Sequence, residues 1–191
     1  MSNPLNEKFN TPFETIPFSK IKTEHFLPAL DDAIKLSKSN IESIIQCSDE
    51  PDFKNTIEKF ETASEQLGMV SGVYWHLFGA HSDGEHKKLA DQISVKMSEY
   101  QNDYVLNKSL FAKIESVYNN RSEMNLDVHE MKLTEDVYVF FKRNGASLSD
   151  EEKIKLREID KQLSSLSPKF SNNSLSGIDP HKKYESLEAS S

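Results

Sequence analysis

His76, His81, Asp83, Glu85 and His86 fall within the stretch "HLFGAHSDGEHKK". Imidazole nitrogens and carboxylates are the ligands that hold zinc, so the chemistry this cluster suggests is metal binding. Zinc peptidases use H-E-x-x-H, which sets two imidazoles four residues apart on one helix face with a glutamate as general base. Here Glu85 immediately precedes His86 instead. The inverted form H-x-x-E-H fits better but is one residue too short for the row His81-Ser82-Asp83-Gly84-Glu85-His86. At 3.6 residues per turn, a five-residue separation overshoots a shared face by about 140°. His76 and His81 have the same spacing and the same defect. The plainer reading is a corner between two helices, with Ser82 and Glu85 as a capping box and three polar histidines around it.

Little else in the chain offers chemistry. There is no G-x-x-x-x-G-K-[ST] or G-x-G-x-x-G phosphate loop and no G-x-S-x-G elbow. Cys47 is the sole cysteine, so no internal disulfide is available, and a small part-buried side chain is the simpler reading than a nucleophile. Acid pairs such as Asp31-Asp32 and Glu151-Glu152 fall at helix starts or on polar faces, where the helix dipole explains them without catalysis. No catalytic, cofactor-binding or metal residue is therefore expected.

The elements that position these groups follow from pattern. The chain has 191 residues, 36% hydrophobic and 28% charged, with formal net charge −8. That is enough to bury a core, and the acidic balance with scattered basic residues argues against nucleic acid as a partner. No apolar run reaches the ~18 residues of a membrane span. The start, "MSNPLNEKFNTPFETIPF", lacks a basic-then-apolar leader, so the expected location is cytoplasmic.

β-branched alternation is nearly absent and apolar residues recur at helical spacing, which predicts an all-α fold, an antiparallel bundle of about six helices. Pro4, Pro12 and Pro17 keep residues 1–22 an extended arm, whose Phe9, Phe13, Ile16 and Phe18 are expected to lie on the body. A first helix runs from about Thr23, its cap, to Gln46. A second starts near Asn55 or Thr56, with Asn55 and Glu58 at the spacing of a capping pair. Its stretch "VSGVYWHLFGAH" is expected to be buried nearly all round. A third follows Ser82, with a fourth at about 108–120. A fifth, at about 127–143, stops at Gly145, suited to a left-handed cap. The sixth opens at the capping box Ser149/Glu152 and carries Ile154, Ile159, Leu163, Leu166 and Phe170 as its apolar stripe. Pro168 should kink or end it. Residues 23–175 form the helical domain, and 176–191 read as a polar, disordered tail.

Several phrases carry a resemblance. "NPLNEKFNTPFETIPFSKIKTEHFLPAL", "PDFKNTIEKFETASEQLGMVSGVYWHL", "AHSDGEHKKLA", "NDYVLNKSLFAKIESVY" and "RNGASLSDEEKIKLREIDKQLSSLSPKFSNNSL" occur in an order that resembles the N-terminal region of the thimet-oligopeptidase family of zinc metallopeptidases. The phrases "LN…LFAKI" and "GASLSDEEKIKL" lean toward its peptidyl-dipeptidase branch over oligopeptidase A. The resemblance spans about residues 3 to 175. It implies a helical wall of a deep channel that admits short peptides in the full enzyme. The family's zinc is held by H-E-x-x-H and a later glutamate, motifs this chain does not carry, so the resemblance implies no cofactor here and a missing C-terminal catalytic region as partner. Alone, the chain is then expected to be inert, marginally stable or self-associating. The alternative is a free-standing helical module that binds peptides or a complementing catalytic half.

Overall fold

Proline at positions 4, 12 and 17 denies the first segment an α-helix, and the segment runs as short 3₁₀ turns over Pro12–Glu14, Phe18–Lys20 and Thr23–His25. The computed structural model describes residues 3–80 and 84–177. The arm is pinned near its start. Leu5 is fully buried, the Asn3 amide donates to the His25 carbonyl at 2.8 Å, and the Asn6 amide donates to Asp32 at 2.7 Å. Ile16 and Ile21 pack on the core. Phe13, by contrast, stands 98% exposed at φ 60°, and Phe18 is about half exposed. The expectation that all the arm's aromatics seal the body is corrected: Pro12 and Thr11, whose hydroxyl donates to the Thr15 carbonyl, turn the chain outward there.

Among the described residues seven α-helices follow: α1 Phe26–Ile45, α2 Lys59–Thr62, α3 Glu65–Ala80, α4 Gly84–Val105, α5 Lys108–Asn120, α6 Val128–Arg143 and α7 Asp150–Gly177. No strand occurs among the described residues. The caps explain most boundaries. Thr23 does not cap the first helix; the Lys22 N–H donates to the His25 Nδ1 at 3.0 Å instead. Asn55 and Glu58 do not form the second cap. Asp52 and Asn55 do, each side chain accepting from the other's backbone N–H at 2.7 and 3.0 Å. A π-helical stretch, Phe53–Glu58, leads from that cap into α2. Asn107 caps α5, Asp127 with Glu130 boxes α6, and Ser149 with Glu152 boxes α7. Gly145 lies at φ 93° just past α6, the left-handed position its type favours. The corner at residues 81–83, with the Ser82 cap, lies outside the described residues, as does the segment 178–191.

Side-chain contacts give the helix directions. Ser37 and Asn40 of α1 meet Ser64 and Ala63, at the start of α3, while Phe26 meets Tyr74 near its end, so α1 and α3 are antiparallel. Lys96–Asp31 at 2.6 Å and Lys38–Asp103 at 2.7 Å lay α4 beside α1 in the same direction. Tyr118–Tyr138 and Phe111–Phe141 pair α5 with α6 antiparallel. Leu30, Ala33, Ile44, Ile57, Leu67, Val70, Ile93, Leu110, Ile114 and Phe141 are buried in one shared core. Each such Leu, Ile or Phe stabilises by about 1.5–3 kcal/mol. Into this core a ring of hydroxyls is set: Ser37–Ser64, Ser37–Tyr100 and Ser64–Tyr100 lie 2.8, 2.5 and 2.6 Å apart, joining α1, the junction of α2 with α3, and α4.

Helix α7 turns its apolar stripe outward. Ile154, Ile159, Leu163, Leu166 and Phe170 are exposed. The face it turns to α4 is basic. The Lys153 ammonium, buried, donates to the Leu106 carbonyl at 3.1 Å. Arg157 reaches Asp103 at 2.9 Å and the Asn102 carbonyl at 3.1 Å, and Lys161 pairs with Glu99 at 3.3 Å. The C-terminal end of α4 carries unpaired carbonyls and the negative end of its dipole, so cations are drawn there. That fixes the rotation of α7 and leaves its apolar stripe outside. Pro168 does not end the helix, which continues to Gly177. One proline removes one bond, and the turns on either side still hold.

Candidate functional site

The stretch expected to be buried all round, "VSGVYWHLFGAH", has one buried side only. Val70, Val73 and Tyr74 are buried, whereas Trp75 and His76 face outward. Trp75 thereby reaches the edge of an open groove of about 870 Å³. Helices α3, α4 and α7 and the loop after α6 enclose it. Its apolar lining is Trp75, Met97, Leu148, Leu156 and Leu163, and its polar rim includes Arg143 and Asp160.

The rim loop is held rigidly. The Ala146 N–H donates to the Phe141 carbonyl at 3.1 Å and the Leu148 N–H to the Gly145 carbonyl at 3.1 Å. These bonds place Leu148 at the lip. Tyr104 lies in the floor, its phenol pushed up to about 12 by burial and then by Tyr100, so it stays neutral. An apolar, half-open trough with dispersed hydroxyls, the cations Lys142 and Arg143 and the anion Asp160 could take an extended or helical peptide, which presents side chains and backbone in alternation.

No group of three His, Cys, Asp or Glu side chains that could hold a metal ion occurs among the described residues. The His25 ring accepts from the Lys22 N–H across the 3₁₀ turn before α1, His76 is exposed on α3, and His129 is exposed at the start of α6. His81 and Asp83 lie outside the described residues, and of Glu85 and His86 only their place in α4 is described. The residues described do not fit a zinc ion, and no chemistry is routed through one. No helix among them is long and apolar enough to cross a membrane. Sequence reasoning missed the groove because Trp75, Met97, Leu148 and Leu163 belong to four separate segments with no shared local pattern.

Fold and groove together define a helical scaffold that presents a peptide-sized trough. No protein-family profile matches the chain. Individual relatives do. A dipeptidyl carboxypeptidase of Salmonella typhimurium is 29% identical over 174 residues, 91% of this chain and 26% of its own length. The dipeptidyl carboxypeptidase of Escherichia coli is 30% identical over 173 residues, 91% of this chain and 25% of that protein. Oligopeptidase A of Escherichia coli is 26% identical over 175 residues, 92% of this chain and 25% of that protein. The chain is a homologue of the dipeptidyl carboxypeptidases and oligopeptidases A, the thimet-oligopeptidase family. It spans about a quarter of the length of the curated relatives it matches.

Proposed function

We propose that this chain supplies the N-terminal helical wall of a zinc metallopeptidase that cleaves short peptides and releases C-terminal dipeptides. The observation that carries the reading is the likeness to dipeptidyl carboxypeptidases over 91% of the chain. The role assigned to this part is binding and exclusion. The trough holds a peptide by apolar side chains, and the helices around it keep folded proteins out. Zinc and the hydrolytic groups come from a further catalytic region, with which the chain would partner. A cytoplasmic location belongs to the same proposal; one relative is described as a probable cytosolic oligopeptidase A.

The test uses the purified 191-residue chain, a set of short peptides and added zinc. Expected is no hydrolysis by the chain alone, and metal-dependent release of dipeptides once the catalytic three-quarters of a relative is co-expressed with it. Hydrolysis by the chain alone would overturn the assignment of roles. A complemented enzyme that releases single residues or internal fragments would overturn the dipeptidase specificity. Trp75, the sole tryptophan, lies in the trough and gives a direct binding readout through its emission.

A free-standing interaction module is the second reading, favoured by the completeness of the core. Helices α1 to α6 bury Leu30, Ile57, Ile114 and Phe141 without any further chain. It is distinguished by peptide binding that is unaffected when the catalytic region is added.

A further inference from the structure

The exposed stripe of α7 has a finer pattern than amphipathicity. Leu156, Ile159, Leu163, Leu166 and Phe170 are separated by three, four, three and four residues. That is the a/d seam of a heptad, with Leu156, Leu163 and Phe170 at a and Ile159 and Leu166 at d. Among these, Leu156 is half-buried beside the groove. The others are 53% (Ile159), 54% (Leu163), 56% (Leu166) and 74% (Phe170) exposed. Ile154 and Pro168 fall at position f, off the seam. The rotation of α7 is fixed by Lys153, Arg157 and Lys161 on α4, so the seam cannot turn inward without breaking those contacts.

A seam alone does not name its partner, but its flanks do. Position e, on the groove side, carries Asp160 and Ser167. Position g, on the opposite edge, carries Lys155, Gln162 and Lys169. In a parallel pair of identical helices, each g residue faces the e residue five positions later on the other chain. Lys155 then faces the second copy's Asp160, twice by symmetry, and Gln162 faces Ser167. In an antiparallel pair centred on Gln162, a faces d and g faces g, and Lys155 meets Lys169. The charges favour the parallel arrangement and oppose the antiparallel one. The helix is already ordered on α4, so the usual cost of forming so short a coiled coil does not fall on association.

We propose that α7 closes its seam against α7 of a second copy, as a parallel two-stranded coiled coil. The body of each protomer lies to the side, because the face of α7 on α4 is well around the helix from the seam. Asp160 lines the groove, so the second copy's Lys155 would come to stand at the groove's edge.

Sedimentation equilibrium of the full chain across a wide concentration range is expected to show a monomer–dimer equilibrium. Leu163→Glu should raise the dissociation constant by at least about 100-fold, since a carboxylate would be buried against its copy. Circular dichroism identifies any variant that merely unfolds. Asp160→Lys should weaken the dimer by about 5-fold, and adding Lys155→Asp should restore it. That pair sits at the helix surface and does not threaten folding. Leu166→Cys, in a Cys47→Ser background, should oxidise to a covalent dimer, because d faces d only in the parallel pair. A chain that stays monomeric at every concentration overturns the proposal, including one that instead binds a relative's catalytic region or lipid vesicles. A dimer indifferent to the charge swap, or one that Leu166→Cys does not link, overturns the parallel seam.

Discussion

Replacing Gly145 by alanine tests the corner that sets the groove's lip. At φ 93° the backbone is left-handed, where a residue with a Cβ is strained by ~1–3 kcal/mol. The added Cβ would also stand 2.6 Å from Leu156 Cδ2, 3.0 Å from Leu148 Cδ1 and 3.4 Å from Leu106 Cδ2. Ordinary carbon contacts lie near 3.5–4.0 Å, so the first overlap is about 1 Å. Overpacking of this kind costs ~1–3 kcal/mol, and the low end applies because Leu148 and Leu156 are part exposed and can swing aside. The sum is about 2–4 kcal/mol. For a domain of this size that lowers Tm by about 5–15 °C. Urea unfolding followed by circular dichroism measures it directly. Strain and overlap separate in a double-mutant cycle: Leu156→Ala removes the tightest contact, so the two substitutions together should cost about 1 kcal/mol less than their sum. A loss below about 0.5 kcal/mol for Gly145→Ala would refute both the left-handed conformation and the packing of the lip.

Other substitutions probe the helix junctions. Tyr100→Phe should cost about 1–2 kcal/mol in urea unfolding, because two hydrogen bonds are lost while Ser37 and Ser64 keep each other. Partial burial alone would raise the Asp103 carboxyl, but hydrogen bonds and charges from Lys38 and Arg157 outweigh it and hold the group below its usual value. Its folded pKa is depressed, so its contribution is full above the unfolded carboxylate value and is lost as pH falls through the folded one. Asp103→Asn should therefore flatten the acid limb of a stability–pH profile, modestly because the pair is solvent-screened. Burial lowers the pKa of Lys153, with Lys108 next, so stability should rise with pH just below the ordinary lysine value. Lys153→Met should abolish that rise and change stability at neutral pH by no more than about 1 kcal/mol, read from urea curves at each pH.

The all-α class and the six helical stretches were legible because periodicity and caps are local signals. Ser149 with Glu152, and Gly145 after α6, occupy the roles their residue types suggest. The second helix was misplaced at its start because Asp52 with Asn55 is an equally local box three residues earlier. It is also delivered in pieces, with Ser64 drawn into the hydroxyl ring where α2 gives way to α3. The stripe on α7 was legible as apolar, but the direction it faces was not. Periodicity reports that a helix has an apolar side, not which side its neighbour takes. Lys153, Arg157 and Lys161 look like solvated surface in a sequence, yet they decide the docking. Leu5 is buried because the Asn3 and Asn6 amides anchor the arm, a contact made across more than twenty residues that no window could reveal.

The clasp of α7 on α4 also bears on how the chain reaches its fold. The contacts of α5 with α6 join neighbouring hairpin partners, whereas Lys153 to Leu106 and Arg157 to Asp103 close loops of 47 and 54 residues that contain the whole α5–α6 pair. Closing such loops carries an entropic cost that local pairs do not share. The α5–α6 hairpin should therefore form before α7 docks and seals it in. Trp75, opposite Leu163 across the groove, is the natural reporter of that arrival. In stopped-flow refolding its emission should lag the far-ultraviolet signal, and substituting Arg157 should speed unfolding while leaving the early helical phase unchanged.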